Sequence, residues 1–423
     1  MESLLELSAR VIDENLSLRT NRPTGELSEV VPGVAMVEAF GHIVAFDTGD
    51  GLVLFDTSSQ TYGATAAKAL HEWRAKPVST IVYTHGHIDH VAGAPAFVDA
   101  AKQRGEPRPR VVAHENLPPR FARYYKTNGY NAIINARQFG PTRQGAFIQP
   151  AFFSDWVMPD TTFADRLHIR AGELEFDLHH AKGETDDHLW AWVPHLRAIC
   201  SGDLITWVFP NAGNPQKVQR YPVEWAGALR EMAALEPEFL LPAHGLPIAG
   251  RERIARVLDE IASALEYLVR ETLTLMNRGS RLDEILQAVR LPNATLERPY
   301  LRPVYDEPEF VVRNIWRMYG GWYDGNPANL KPAPEAAIAA EIANLAGGPL
   351  ALAERARTLA ESGELRLACH LAEWAALAPG ATADVHAIRA AVYTLRRDAE
   401  LSLMARGIFQ SAAAESGGIA RRE

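Results

Sequence analysis

Cysteine is nearly absent: Cys200 and Cys369 are the only two in 423 residues. A disulfide framework and any CxxC metal or redox motif are thereby excluded, so a metal bound here must be held by His, Asp and Glu. Long apolar runs are also missing. No window reaches the roughly 18 uncharged apolar residues of a membrane-spanning helix, and stable membrane insertion is not expected. Basic runs are lacking as well. With 43 basic against 52 acidic residues the net charge is −9, so nucleic acid is not an expected partner. The opening residues Met1-Glu2-Ser3-Leu4-Leu5-Glu6-Leu7 carry acids where a secretory signal needs bases, and Asp13, Glu14 and Arg19 interrupt the apolar positions before a signal core can form. The expectation is a cytoplasmic protein. No G-x-S-x-G elbow, P-loop or G-x-G-x-x-G follows a strand, which sets aside serine hydrolases and nucleotide binders.

What is present is ordinary globular composition, 47% hydrophobic and 22% charged, in a length that suits two to three domains. From Val34 to about Leu246, short β-rich runs alternate with amphipathic helical stretches, which predicts an α/β layer. Val34–Glu38, His42–Asp47 and Leu52–Phe55 read as strands, with Asp50-Gly51 expected to supply the positive φ of the turn before the third. Gln60–Arg74 reads as a helix and Val78–Thr84 as a strand. After Pro247 the texture becomes helical: Glu252–Arg278, Leu282–Val289, Glu335–Ala346, Pro349–Ser362, Leu365–Ala378 and Thr382–Ala399. The Ala-rich pairs around Gly363 and Pro379 look like a helix-turn-helix repeat of the tetratricopeptide kind. The expected domains are 1–250 and 251–423.

Thr84-His85-Gly86-His87-Ile88-Asp89-His90 directly follows a predicted strand. In extended backbone residues two apart face one way, so His85 and His87 can share a metal while Asp89 and His90 face a second. Four ligands do not complete two sites, and later strand ends supply candidates. Glu184 follows the strand-like Glu175–His180, Asp203 follows Ala198–Cys200, and His244 follows Phe239–Leu241. His188 rivals Glu184 as the third ligand. Asp56 ends a strand nearby and could orient a ligand histidine.

This layout resembles the metallo-β-lactamase superfamily over roughly Val34 to Pro247. The resemblance implies an αββα sandwich with the H-x-H-x-D-H loop, a third ligand, a bridging carboxylate and a last histidine at one edge. The third ligand there is usually His, whereas Gly183-Glu184-Thr185 puts a glutamate in the slot. That departure is similar to the zinc-dependent type III alkyl sulfatases. The helical half strengthens the likeness, because Gly321-Trp322-Tyr323-Asp324-Gly325-Asn326-Pro327-Ala328-Asn329-Leu330 resembles a signature of the alkyl sulfatase dimerisation domain. The implied architecture is α/β followed by an all-α dimerisation domain with a TPR-like end.

The resemblance implies two Zn²⁺ per chain on His85, His87, Asp89, His90, Glu184, Asp203 and His244, an alkyl sulfate ester as substrate, and a homodimer formed through the helical domain. Two close zinc ions bring a shared water from pKa 15.7 toward about 7, which supplies the hydroxide. They outweigh Asp89, Glu184 and Asp203 by one positive charge, so a sulfate needs further donors. The segment Asn211–Arg220 is in the place for them. Lys217 and Arg220 are the catalytic candidates beside Asp89, with Asn211, Asn214 and Gln219 as hydrogen-bond donors. Asn128-Gly129-Tyr130-Asn131-Ala132 resembles a family element bordering the substrate, which nominates Tyr130 and Asn131. Trp207 and Phe209 are candidates to line an alkyl pocket. The competing readings are the same metals acting on another ester, a lactone or a β-lactam, and a metal-free dimeric scaffold.

Overall fold

Strands covered on both faces read as near-continuous apolar runs, and the inner strands of the first sheet, Val34–Val37, Ile43–Asp47 and Leu52–Phe55, are of that kind. In a computed structural model describing residues 2–139 and 157–421, that sheet holds seven strands in chain order. These are β1 (Leu27–Val31), β2 (Val34–Val37), β3 (Ile43–Asp47), β4 (Leu52–Phe55), β5 (Val78–Val82), β6 (Arg110–His114) and β7 (Thr161–Phe163). β1 to β4 pair antiparallel and β4 to β7 parallel. The turn before β4 takes its positive φ at Gly49 (+91°) rather than at Asp50-Gly51, because Thr48 closes it with both N–H and hydroxyl on the Gly51 carbonyl.

Helix α1 (Leu4–Asp13) precedes the sheet; α2 (Gln60–Trp73), α3 (Ile88–Val91), α4 (Ala94–Arg104) and α5 (Leu117–Lys126) alternate with its parallel strands. Period-two alternation decides which side chains meet what. Ile43, Ala45, Leu52, Leu54, Ile81 and Val111 pack with Ala66, Ala67 and Leu70 of α2 and Phe97 of α4. The intervening Phe46 and Phe55 meet Phe176 of the second sheet, ring centroids 5.3 and 5.9 Å apart. That sheet runs β13 (Ile248–Ala249), β12 (Phe239–Pro242), β11 (Ala198–Gly202), β10 (Leu189–Val193), β9 (Leu174–His180), β8 (Arg166–Ala171). It is covered by α7 (Pro222–Ala234) and α8 (Arg251–Asn277), with α6 (Asn128–Phe139) lying earlier in the chain. The four layers of an αββα sandwich are present.

No strand follows β13 among the described residues; the chain continues as α9 (Leu282–Ala288), α10 (Asn293–Leu296), α11 (Pro308–Gly320), α12 (Pro327–Leu330), α13 (Glu335–Leu345), α14 (Pro349–Glu361), α15 (Leu365–Leu377), α16 (Ala383–Asp398) and α17 (Leu403–Ala420). Ala353, Ala356, Ala360, Ala368, Ala372 and Ala375 are buried between α14 and α15, where small side chains let the helices approach closely. Two compact units result, and neither ends at residue 250. The first comprises 1–127, 153–279 and 284–319; the second comprises 128–152, 280–283 and 320–423, within the described residues in each case. Helix α8 stays in the first unit because Ile254, Val257, Leu258, Ile261, Leu265 and Leu268 are buried along one face, against α7 and the β12–β13 edge. No single helix among the described residues is long and apolar enough to cross a membrane.

Candidate metal centre

Strand ends and the loops after them deliver the cluster. After β5 the chain bends through Thr84–His87 into α3, whose first turn carries Asp89 and His90. Glu184 stands between β9 and β10, Asp203 directly after β11, and His244 just beyond β12. Their donor atoms meet. His85 Nε2 lies 2.8 Å from His87 Nδ1 and 3.7 Å from Asp203 Oδ2, while His87 Nδ1 lies 3.5 Å from Glu184 Oε1. The other Asp203 oxygen, Oδ1, has His90 Nε2 and His244 Nε2 each at 3.4 Å. Asp89 Oδ2 is 3.7 Å from His90 Nε2 and 3.4 Å from His244 Nε2. All seven expected ligands are brought together, and they divide around the two oxygens of Asp203.

The charge distribution calls for cations. Burial alone would strip the proton from His90, yet Asp203, Asp89 and Asp56 outweigh it and hold its pKa well above the usual range. His244 is pushed up to about 10, against burial, by Asp203 and Asp89. Burial keeps His85 and His87 neutral, the form in which imidazole donates a lone pair. His90 Nε2 and Asp203 Oδ1 are buried and make no hydrogen bond. Orphaned nitrogen and oxygen donors facing each other fit a divalent ion bound by imidazole and carboxylate.

Supporting contacts fix these side chains. Asp56 accepts from the Thr84 amide and hydroxyl at 2.7 Å each, and its Oδ2 lies 2.7 Å from His90 Nδ1, which leaves Nε2 facing the cluster. Asp56 has φ +63°, a local strain at the strand end. His188 does not join the ligands: its Nε2 accepts the Asp203 amide at 3.0 Å and its ring stacks on His85. His42, given no role from sequence, lies 2.8 Å through Nε2 from the Gly245 carbonyl and props the turn after His244. Asn21, also missed, accepts the Gly245 amide at 3.3 Å.

Glu184 is gripped. Arg220 Nη1 donates to its carbonyl at 2.5 Å and stands 2.8 Å from Oε1, and Asn211 Nδ2 donates to the same Oε1. Burial and Asp203 push the Glu184 carboxyl up to about 7, with Arg220 opposing. In the structure Arg220 and Asn211 both hold the carboxylate of Glu184, one of the expected ligands. Gln219 is turned away, donating to Asn314 Oδ1 at 3.0 Å and to the Arg220 carbonyl at 2.9 Å. Asn214 is buried, with its amide N–H on Asp306 at 3.0 Å. Lys217 lies within electrostatic reach of Arg220, Glu184 and Arg123, and burial with the neighbouring Arg220 pushes its pKa down to about 8. Asp306 accepts the amides of Gly213 and Asn214, and Asn314 Nδ2 donates to the Ala212 and Arg220 carbonyls at 2.9 Å each. Neither residue carried a local sequence signal, because each acts on a loop about 90 residues earlier.

Trp207 and Phe209 are buried rather than lining an open pocket; the Trp207 indole donates to the Leu246 carbonyl at 2.7 Å and braces the His244 turn. Tyr130 and Asn131 lie on α6 in the second compact unit, Tyr130 exposed and Asn131 buried.

Comparison with known proteins finds two family matches: the metallo-beta-lactamase superfamily over residues 37–244 and alkyl sulfatase dimerisation over 281–418. A linear primary-alkylsulfatase of Pseudomonas sp. is 29% identical over 316 residues, 71% of this chain and 59% of that protein. An (R)-specific secondary-alkylsulfatase of Pseudomonas sp. is 27% identical over 86% of this chain and 58% of its own length. The alkyl/aryl-sulfatase BDS1 of Saccharomyces cerevisiae is 25% identical over 74% and 52%. The chain thus spans between half and three fifths of these relatives. The structure of the stereoselective inverting sec-alkylsulfatase Pisa1 from Pseudomonas sp. shares the fold with a TM-score of 0.80 at 23% identity, over 93% of this chain and 65% of that one.

Proposed function

We propose, from the matches to the metallo-beta-lactamase superfamily over residues 37–244 and to alkyl sulfatase dimerisation over 281–418, that this chain hydrolyses alkyl sulfate esters with two zinc ions per chain, as a homodimer paired through its helical region. The observation that carries the reading is the convergence of four histidines and two further carboxylates around Asp203, with a glutamate in the third-ligand slot. His85, His87 and Glu184 would hold one ion, Asp89, His90 and His244 the other, with Asp203 shared. Zinc bound there supplies Lewis acidity and a water whose pKa falls from 15.7 toward about 7.

The chain's own residues do the rest. Asp56 keeps His90 in the tautomer that offers Nε2. Arg220 favours the ionised form of Glu184 against burial, and with Asn211 it keeps the carboxylate aimed. Lys217 is the group that meets the sulfate anion and offsets the charge developing on the departing oxygen. An alkyl sulfate is a permanent anion, so a cation beside a nearly neutral metal cluster separates it from neutral esters. The test compares turnover of dodecyl sulfate with that of neutral lactones and adds inorganic sulfate as inhibitor. Preferred turnover of dodecyl sulfate with competitive inhibition by sulfate is expected; faster turnover of lactones would overturn the substrate assignment.

A further inference from the structure

The convergence of His85 Nε2 and His87 Nδ1 to 2.8 Å occurs on bent backbone, where alternation along a strand does not enforce it. Something outside the loop must hold it. The Gly86 amide between the two histidines donates to Asp187 Oδ2 at 2.8 Å. Asp187 is fully buried, and its Oδ1 accepts from Arg120 Nε at 2.6 Å. Arg120, on α5, is itself buried and pairs through Nη2 with Asp186. A Cβ at position 86 would fall 2.7 Å from Arg120 Cδ and 3.1 Å from Asp187 Oδ2, so the glycine, the arginine and the aspartate fit only as a set. Buried ion pairs gain little net stability, because desolvation offsets their attraction. This pair's geometry gives it another use.

We infer that Arg120 and Asp187 are positioning residues of the metal centre: by seizing the Gly86 peptide they set the spacing of the His85 and His87 donor atoms. Asp187 stands three residues after Glu184, so the same contact also ties the histidine loop to the connection carrying the third ligand. Neither residue offers a donor atom to the cluster, and their effect passes through the backbone of residue 86. The inference rests on the reading of His85, His87 and Glu184 as metal ligands.

The test is zinc affinity by competition with a chromophoric chelator, alongside thermal unfolding of the metal-free proteins by circular dichroism. D187A and R120A should bind zinc about 10- to 100-fold more weakly, the range seen when outer partners of ligands are removed. D187N should bind zinc more tightly than D187A though more weakly than wild type, since its amide oxygen still accepts from Gly86 while its NH2 group gives Arg120 no acceptor. Rescue by the asparagine separates positioning from bulk stability, because the ion pair stays broken. Should the alanine variants fail to fold, R120K carries the test: weaker binding with an unchanged metal-free melting temperature supports the inference. Variants that bind zinc as tightly as wild type would overturn it. A wild-type protein that binds no zinc would instead refute the ligand reading beneath it.

Discussion

Glu184 occupies a slot that faces His87 on one side and Arg220 on the other, and the second neighbour explains how a carboxylate works there. A buried carboxylate is costly unless paired, and the guanidinium and the Asn211 amide supply the pairing. E184A should therefore lose zinc and drop turnover by about 10²- to 10³-fold, the several kcal/mol expected of a lost metal function. E184H should not rescue it, since an imidazole would leave Arg220 buried and uncompensated. Metal analysis and kcat of the two variants check this. Lys217 gives a pH signature. Its pKa is depressed to about 8, so it is charged below that pH and neutral above; KM for an alkyl sulfate should rise above pH 8 and lie higher but flat in K217M. At this scale the histidine loop was legible because its spacing is local. Glu184 was preferred to its rival His188 from its place after Gly183, and the Asp203 amide on His188 Nε2 is the contact that sets the two apart in the structure.

Strands and loops place these groups at the carboxyl ends of β5, β11 and β12, where parallel pairing of β4–β5 and β11–β12 brings strand ends to a common edge. The loop carrying Asn211 and Arg220 is latched by Asp306, so D306A should leave two buried amides without acceptors. A loss of about 1–3 kcal/mol per amide is expected from urea denaturation. Burial pushes Asp306 up to about 6 from 3.8, so the folded state holds this proton more tightly than the unfolded chain. Its contribution accordingly falls as pH rises from about 4 to 6, and D306N should remove that part of the slope. Regular elements such as β4, α2 and α8 were legible to within a residue or so because their periodicity is local. Helix α17 was not, since Gly407, Gly417 and Gly418 argue against a helix; the Gly407 position is explained only by packing, because a Cβ there would run into the Gln138 carbonyl oxygen of α6.

Across the whole molecule the chain folds as two compact units whose members are not contiguous in sequence, so neither unit coincides with the expected 1–250 or 251–423. Within the matched dimerisation region, Trp322 and Leu330 are 70% and 51% exposed, apolar surface that a partner chain would cover. Light scattering should give twice the chain mass, and W322E with L330E should give the monomer while zinc binding in the first unit persists. The cluster around Asp203 is proposed to make this chain a zinc-dependent sulfate ester hydrolase. The most direct test is sulfate release from dodecyl sulfate and from a secondary alkyl sulfate, measured before chelation, after chelation and after zinc is restored. Release that chelation abolishes and zinc restores is the predicted result; no release from either ester by protein carrying two zinc ions would contradict it.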